Sequence, residues 1–120
     1  MRVKTITAAL VGAALAAAVP ATAATAHHAA KATTITVAMS EFKFKLSKTS
    51  APAGTVTFKV TNKGKVPHDF KVGAKKTPLV GPGKSATLKV TFAKAGKFAY
   101  LCTVPGHAAS GMKGTFTVKA

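Results

Sequence analysis

Cys102 is the only cysteine in this chain of 120 residues. It cannot close an intramolecular disulfide, which leaves a buried inert thiol, an intermolecular bridge or a metal ligand. The neighbouring residues bear on that choice. The run Tyr100-Leu101-Cys102-Thr103-Val104-Pro105-Gly106-His107-Ala108-Ala109-Ser110-Gly111-Met112 leaves four residues between Cys102 and His107, and four between His107 and Met112. A loop with this Pro and Gly content can turn three side chains toward one point. Thiolate, imidazole and thioether are soft or borderline donors of the kind copper accepts, and two His, one Cys and a weak Met make a one-electron copper site. The second histidine such a site requires is His68, in Lys65-Val66-Pro67-His68-Asp69-Phe70. Taken singly, His68 reads as a strand-end residue and Met112 as core filler. Their coincidence in a chain with one Cys and three Met favours the metal.

The elements that must position these donors are strands. Ile35, Val37 and Met39 alternate with Thr34, Thr36 and Ala38; Phe42, Phe44 and Leu46 alternate with Lys43, Lys45 and Ser47. The same period of two runs through Thr55–Thr61, Ala86–Phe92, Phe98–Cys102 and Thr115–Lys119, and it is the pattern of half-buried strands. Ala51-Pro52-Ala53-Gly54, Asn62-Lys63-Gly64, Gly81-Pro82-Gly83 and Lys94-Ala95-Gly96 mark turns between them. The spacing predicts an all-β, antiparallel sandwich or barrel with Lys and Thr on its wet face.

Ahead of the strands, residues 1–26 read as a cleavable export signal. Arg2 and Lys4 precede an apolar stretch from Ile6 to Val19, followed by Pro20 and two A-x-A sites, Ala21-Thr22-Ala23 and Ala24-Thr25-Ala26. The apolar run, about 14 residues, falls short of the roughly 20 that span a bilayer. An exported protein, periplasmic or extracellular, is the expectation. Residues 27–33, with His27 and His28, read as a flexible lead, and residues 34–120 as one domain.

The whole chain carries 18 Lys+Arg against 2 Asp+Glu, a formal charge of +16. Beyond residue 26 there is no Arg, and 16 Lys face only Glu41 and Asp69, a charge of +14. Nucleic acid is not the expected partner, because this region lacks Arg, Trp and a recognition motif and its Lys are spread from Lys31 to Lys119. The charge favours instead an acidic protein partner, or adhesion to an anionic membrane or cell-wall surface.

His68 followed by the Cys102-x4-His107-x4-Met112 loop resembles the cupredoxins, the type 1 copper proteins that include plastocyanin, azurin, auracyanin and pseudoazurin. The resemblance covers about residues 34–120. It implies a Greek-key β-sandwich of seven or eight strands with one copper ion near one end. His68, Cys102 and His107 would be the equatorial ligands and Met112 the axial one. The Cys-Thr-x-Pro-Gly-His wording is similar to azurin, whereas the gap from His107 to Met112 is longer than azurin's. Asp69 departs from the family, which commonly carries Asn after the first His. Here it is expected to accept hydrogen bonds from Thr103 and, when ionised, to favour Cu(II).

Four protein donors leave no open position for a substrate, so the expected function is a monomeric one-electron carrier and not an enzyme. An acidic redox partner would dock near His107, on an apolar patch that the resemblance extends to Pro67 and Leu79-Val80-Gly81-Pro82. A copper protein for storage, delivery or resistance is the alternative. A nitrite reductase or multicopper oxidase would need further His-rich centres, which four His cannot supply. A metal-free interaction module would make the donor set coincidental.

Overall fold

Each alternating segment has one dry face and one wet face, and two sheets built from such segments close on their dry faces. The computed structural model describes residues 32–120. The expected signal at 1–26 and residues 27–31 of the expected lead lie outside the described residues. Nine strands follow in order: β1 (Thr33–Ser40), β2 (Lys43–Leu46), β3 (Ser50–Pro52), β4 (Gly54–Asn62), β5 (Lys71–Val72), β6 (Lys75–Lys76), β7 (Ser85–Phe92), β8 (Gly96–Leu101) and β9 (Lys113–Lys119). One sheet has the order β2-β1-β4-β7 and the other β3-β9-β8-β5-β6. The protein is an all-β sandwich, with no helix among the described residues.

Six of the nine strands coincide with the alternating segments. The additional ones, β3, β5 and β6, are two or three residues long, too short for alternation to show. Two pairings differ from an all-antiparallel sandwich: β1 with β4 and β3 with β9 are parallel. The chain crosses to the second sheet at β3 before β4 returns beside β1. Such a crossover is what a parallel pair needs, and period two is the same in either sense.

Phe42 also departs from expectation. Ser40 pairs with Lys43, so Glu41 and Phe42 form a two-residue turn between β1 and β2. Phe42 has φ 47° and is 41% exposed, so it does not share the inward face of Phe44 and Leu46. A bulky side chain in the left-handed region costs about 1–2 kcal/mol.

The core lies between the sheets. Phe58 of β4 is fully buried, with its ring 5.1 Å from that of Phe70 and 5.4 Å from that of Phe116 on β9. It joins the two layers, and truncating it to Ala would cost about 3–5 kcal/mol. Lys and Thr take the outer face of the first sheet, where Thr61 and Ser85 pair hydroxyls across β4 and β7 at 3.0 Å. The turn after β1, the end of β4 and the β8–β9 loop gather at one end of the sandwich, held together by the contacts described next.

Candidate metal centre

The segment 102–112 leaves β8 and returns as β9, and its own backbone braces it. Cys102 N–H donates to the Met112 carbonyl, Met112 N–H to His107 and His107 N–H to Val104, each at 3.1 Å. Gly111 N–H closes a tighter turn onto Ala108 at 3.0 Å. Gly111 needs its freedom for its backbone, with φ 115°, since a Cβ there would meet the Phe42 carbonyl only at an ordinary 3.5 Å. These bonds put Cys102 and His107 side by side and tie in Met112, which is fully buried, at the end of the loop.

His68 reaches the same place from the far side. It forms an isolated bridge with Val80, His68 N–H to Val80 O at 3.1 Å and Val80 N–H to His68 O at 2.7 Å. Asn62, the last residue of β4, holds the intervening turn. Its Nδ2 donates to the carbonyls of Val66 and Val80, both at 2.8 Å, and its Oδ1 accepts from Gly64 N–H at 2.8 Å.

The donor atoms converge. His68 Nδ1 and His107 Nδ1 are 3.0 Å apart, and Cys102 Sγ is 4.0 Å from the first and 3.6 Å from the second. A metal about 2.0 Å from imidazole nitrogen and about 2.3 Å from thiolate needs donors about 3–4 Å from one another. The spacing fits such an ion. Two imidazole nitrogens 3.0 Å apart beside a thiol share one proton as a hydrogen bond or, with both hydrogens on Nε2, turn two lone pairs on a cation. Burial pushes the Cys102 thiol up, which disfavours a free thiolate, whereas coordination to a metal deprotonates a thiol outright.

Two carboxylates bind this framework. Thr103 N–H donates to Asp69 Oδ1 at 2.6 Å and its hydroxyl to Asp69 Oδ2, so Asp69 ties the His68 segment to the Cys102 loop. This is the contact that the sequence leads one to expect. Glu41 is one that it does not. Its Oε1 accepts from Lys65 N–H at 2.6 Å and Val66 N–H at 3.0 Å, and lies 3.3 Å from His68 Nε2. The Lys65 amide, then that of Val66, hold the Glu41 carboxyl down to about 2. Beside it, the Phe42 ring meets the His107 ring edge-on, with centroids 5.1 Å apart.

All four expected donor residues thus lie at one end, three of them with ligand atoms in mutual reach and Met112 buried in the same loop. His27 and His28 lie outside the described residues. Of the expected apolar patch, Leu79 is 61% exposed, but Val80 is buried because it pairs with His68. Sequence reasoning missed Glu41, Phe42 and Asn62. Asn62 did leave a signal, a polar residue in register with the inward Val56, Phe58 and Val60 of β4. Glu41 left only its rarity, as the single Glu of the chain.

Comparison with known proteins agrees with this geometry. The chain is 51% identical over 41 residues to the copper-resistant cuproprotein CopI of Pseudomonas aeruginosa, covering 34% of this chain and 23% of that protein. It is 31% identical over 90 residues to the CopI of Vibrio cholerae, covering 58% of this chain and 53% of that one. It therefore spans about half or less of the curated relatives it matches. Among solved structures, the reduced auracyanin of Roseiflexus castenholzii superimposes with a TM-score of 0.65 at 27% identity, over 73% of this chain and 98% of that one. His68, Cys102, His107 and Met112 form the cluster typical of a type 1 copper site. Residues 13–118 match the cupredoxin-like domain, and the chain belongs to that family.

Proposed function

We propose that the protein is an exported one-electron carrier that serves redox partners by cycling its copper between Cu(I) and Cu(II). The carrying observation is the pre-set donor geometry, with three ligand atoms already 3.0–4.0 Å apart on two loops that backbone hydrogen bonds brace. Donors that need not move between oxidation states keep reorganisation small, which favours fast electron transfer. His68, Cys102 and His107 would be the equatorial ligands and Met112 the weak axial one. Copper held there supplies a one-electron couple, and four protein donors leave no position for a substrate.

His107 is the donor residue that is not fully buried. Exposed Phe42, Val66 and Leu79 lie beside it or beside the His68 segment, an apolar rim on which a partner could dock. Glu41 and Asp69 are both engaged in the site, which leaves the remaining surface charge to Lys. An acidic partner is therefore expected to be steered in, with a rate that falls as salt shortens the screening length to about 8 Å and below. The same charge suits an anionic membrane or wall surface.

A second reading, copper storage, delivery or resistance, is favoured by the two CopI relatives, which are named for copper resistance. One pair of measurements tests both. Cu(II) added to residues 27–120 is expected to give an intense thiolate-to-copper band, and a colourless product would sink the carrier. The reduced protein is then expected to reduce a one-electron acceptor protein repeatedly while keeping its metal. Loss of Cu(I) to that acceptor, faster than electron transfer, would favour copper handling.

A further inference from the structure

We infer that Glu41 is a positioning residue of the metal centre, which fixes the tautomer and the orientation of His68 from a turn 27 residues away in the chain. Three contacts converge on a single carboxylate oxygen, from the amides of Lys65 and Val66 and from His68 Nε2. The first two hold the segment that delivers His68, and the third holds the ring itself. Facing a carboxylate oxygen, Nε2 can bond only as an N–H donor, and the neutral imidazole with its hydrogen there leaves a bare lone pair on Nδ1, the atom that faces His107 and Cys102. His68 is fully buried, so without Glu41 its Nε2–H would lose the partner that the structure provides.

Gly64 gives independent support. A Cβ there would come within 2.9 Å of both the Glu41 carboxyl carbon and Oε2. The backbone of Gly64 is not in the left-handed region, so the missing side chain serves this approach and not a turn. The seat of the carboxylate is built from both strands' ends, Glu41 after β1 and Gly64 after β4.

The role has an electronic consequence. A carboxylate bonded to a ligand imidazole makes it a stronger donor, and the gain is larger toward the more highly charged ion. Glu41 thus favours Cu(II) over Cu(I).

The assignment rests on the copper reading of the site, and the test separates the two. In the metal-free wild type, long-range proton–nitrogen NMR is expected to show His68 with its hydrogen on Nε2. In Glu41→Ala that preference is expected to fade, and Cu(II) affinity, titrated with Cu(II) itself, to fall about 10–100-fold. Glu41→Gln keeps the shape and loses the charge. It is expected to retain a type 1 spectrum while the ratio of Cu(II) to Cu(I) affinity drops about tenfold, a rise in reduction potential of about 59 mV. Gly64→Ala, which displaces the carboxylate, is expected to follow Glu41→Ala. An unchanged His68 tautomer in folded Glu41→Ala would overturn the assignment. If that variant does not fold, an unchanged potential in Glu41→Gln overturns it. Failure of the copper reading would look different, as a wild type without the thiolate-to-copper band.

Discussion

The loop 102–112 and the segment 62–69 bring donors to the same point by different means. The loop is braced by its own main chain, through the bonds that run from Cys102 to Met112, His107 and Val104. The segment's main-chain bonds go out to other elements, His68 to Val80 and Lys63 to Met39, and side chains supply the rest: Asn62 from within it, Glu41 from a distant turn and Asp69 reaching out to Thr103. Backbone bonds survive most substitutions, whereas each side-chain bond is one mutation from being lost. The loop side of the site should therefore tolerate changes at its exposed positions, and the His68 side should respond to residues that never touch a metal.

The largest effect tests the loop side at its one indispensable atom. Cys102→Ser is expected to abolish the thiolate-to-copper band completely, while the far-ultraviolet circular dichroism of the sandwich is preserved. An intense band that survived would show that the cluster is not held as the geometry indicates. By contrast, Ser110→Ala, at an exposed position of the same loop, is expected to change stability by no more than about 0.5 kcal/mol.

Next in size is Asn62→Ala on the side-chain-braced half. It would remove the partner of the Val66 carbonyl, one of the two partners of Val80 O and the acceptor for Gly64 N–H. Buried groups left unpaired are costly, and a loss of roughly 2–3 kcal/mol is expected in urea denaturation. Copper affinity should fall with it, because the turn that delivers His68 loosens. If Asn62→Ala and Ser110→Ala proved equally mild, the contrast between the two halves would be broken.

The difference between the halves also decided what could be read before the structure. Cys102, His107 and Met112 stand in one short run, so their spacing alone suggests convergence. His68 was legible by elimination, with His27 and His28 in the lead. The Asp69–Thr103 contact was foreseeable once both residues stood beside ligands. Glu41 was not, since its partners are 24 to 27 residues downstream and are joined to it only by the parallel pairing of β1 with β4. That pairing is invisible to a period of two. Phe42 was misplaced for a related reason: alternation carries straight through the residue where the hairpin turns.

A smaller effect concerns charge on the bridge between the halves. Asp69→Asn can still accept the Thr103 amide but removes a carboxylate close to both ligand segments. The reduction potential is expected to rise by the equivalent of about 1 kcal/mol of Coulomb energy in a high effective dielectric. Potentiometry checks the sign, and a lower potential in the Asn variant would contradict the electrostatic role of Asp69.

Phe42 offers the smallest and most balanced test, because it touches the loop side from the turn that serves the other. Replacing it with Asn would relieve a left-handed backbone that costs Phe about 1–2 kcal/mol and that Asn accepts readily. It would also remove the edge-on contact with His107, worth about 0.5–1.5 kcal/mol. The two nearly cancel, so Phe42→Asn is expected to shift stability by less than about 1 kcal/mol. The ring of His107 should meanwhile become more open to water, readable as faster chemical modification of that histidine in the metal-free protein. Unchanged reactivity would mean that Phe42 does not shield His107. A clear gain in stability with faster modification would mean that the protein keeps a strained turn to cover a donor that its loop alone leaves half exposed.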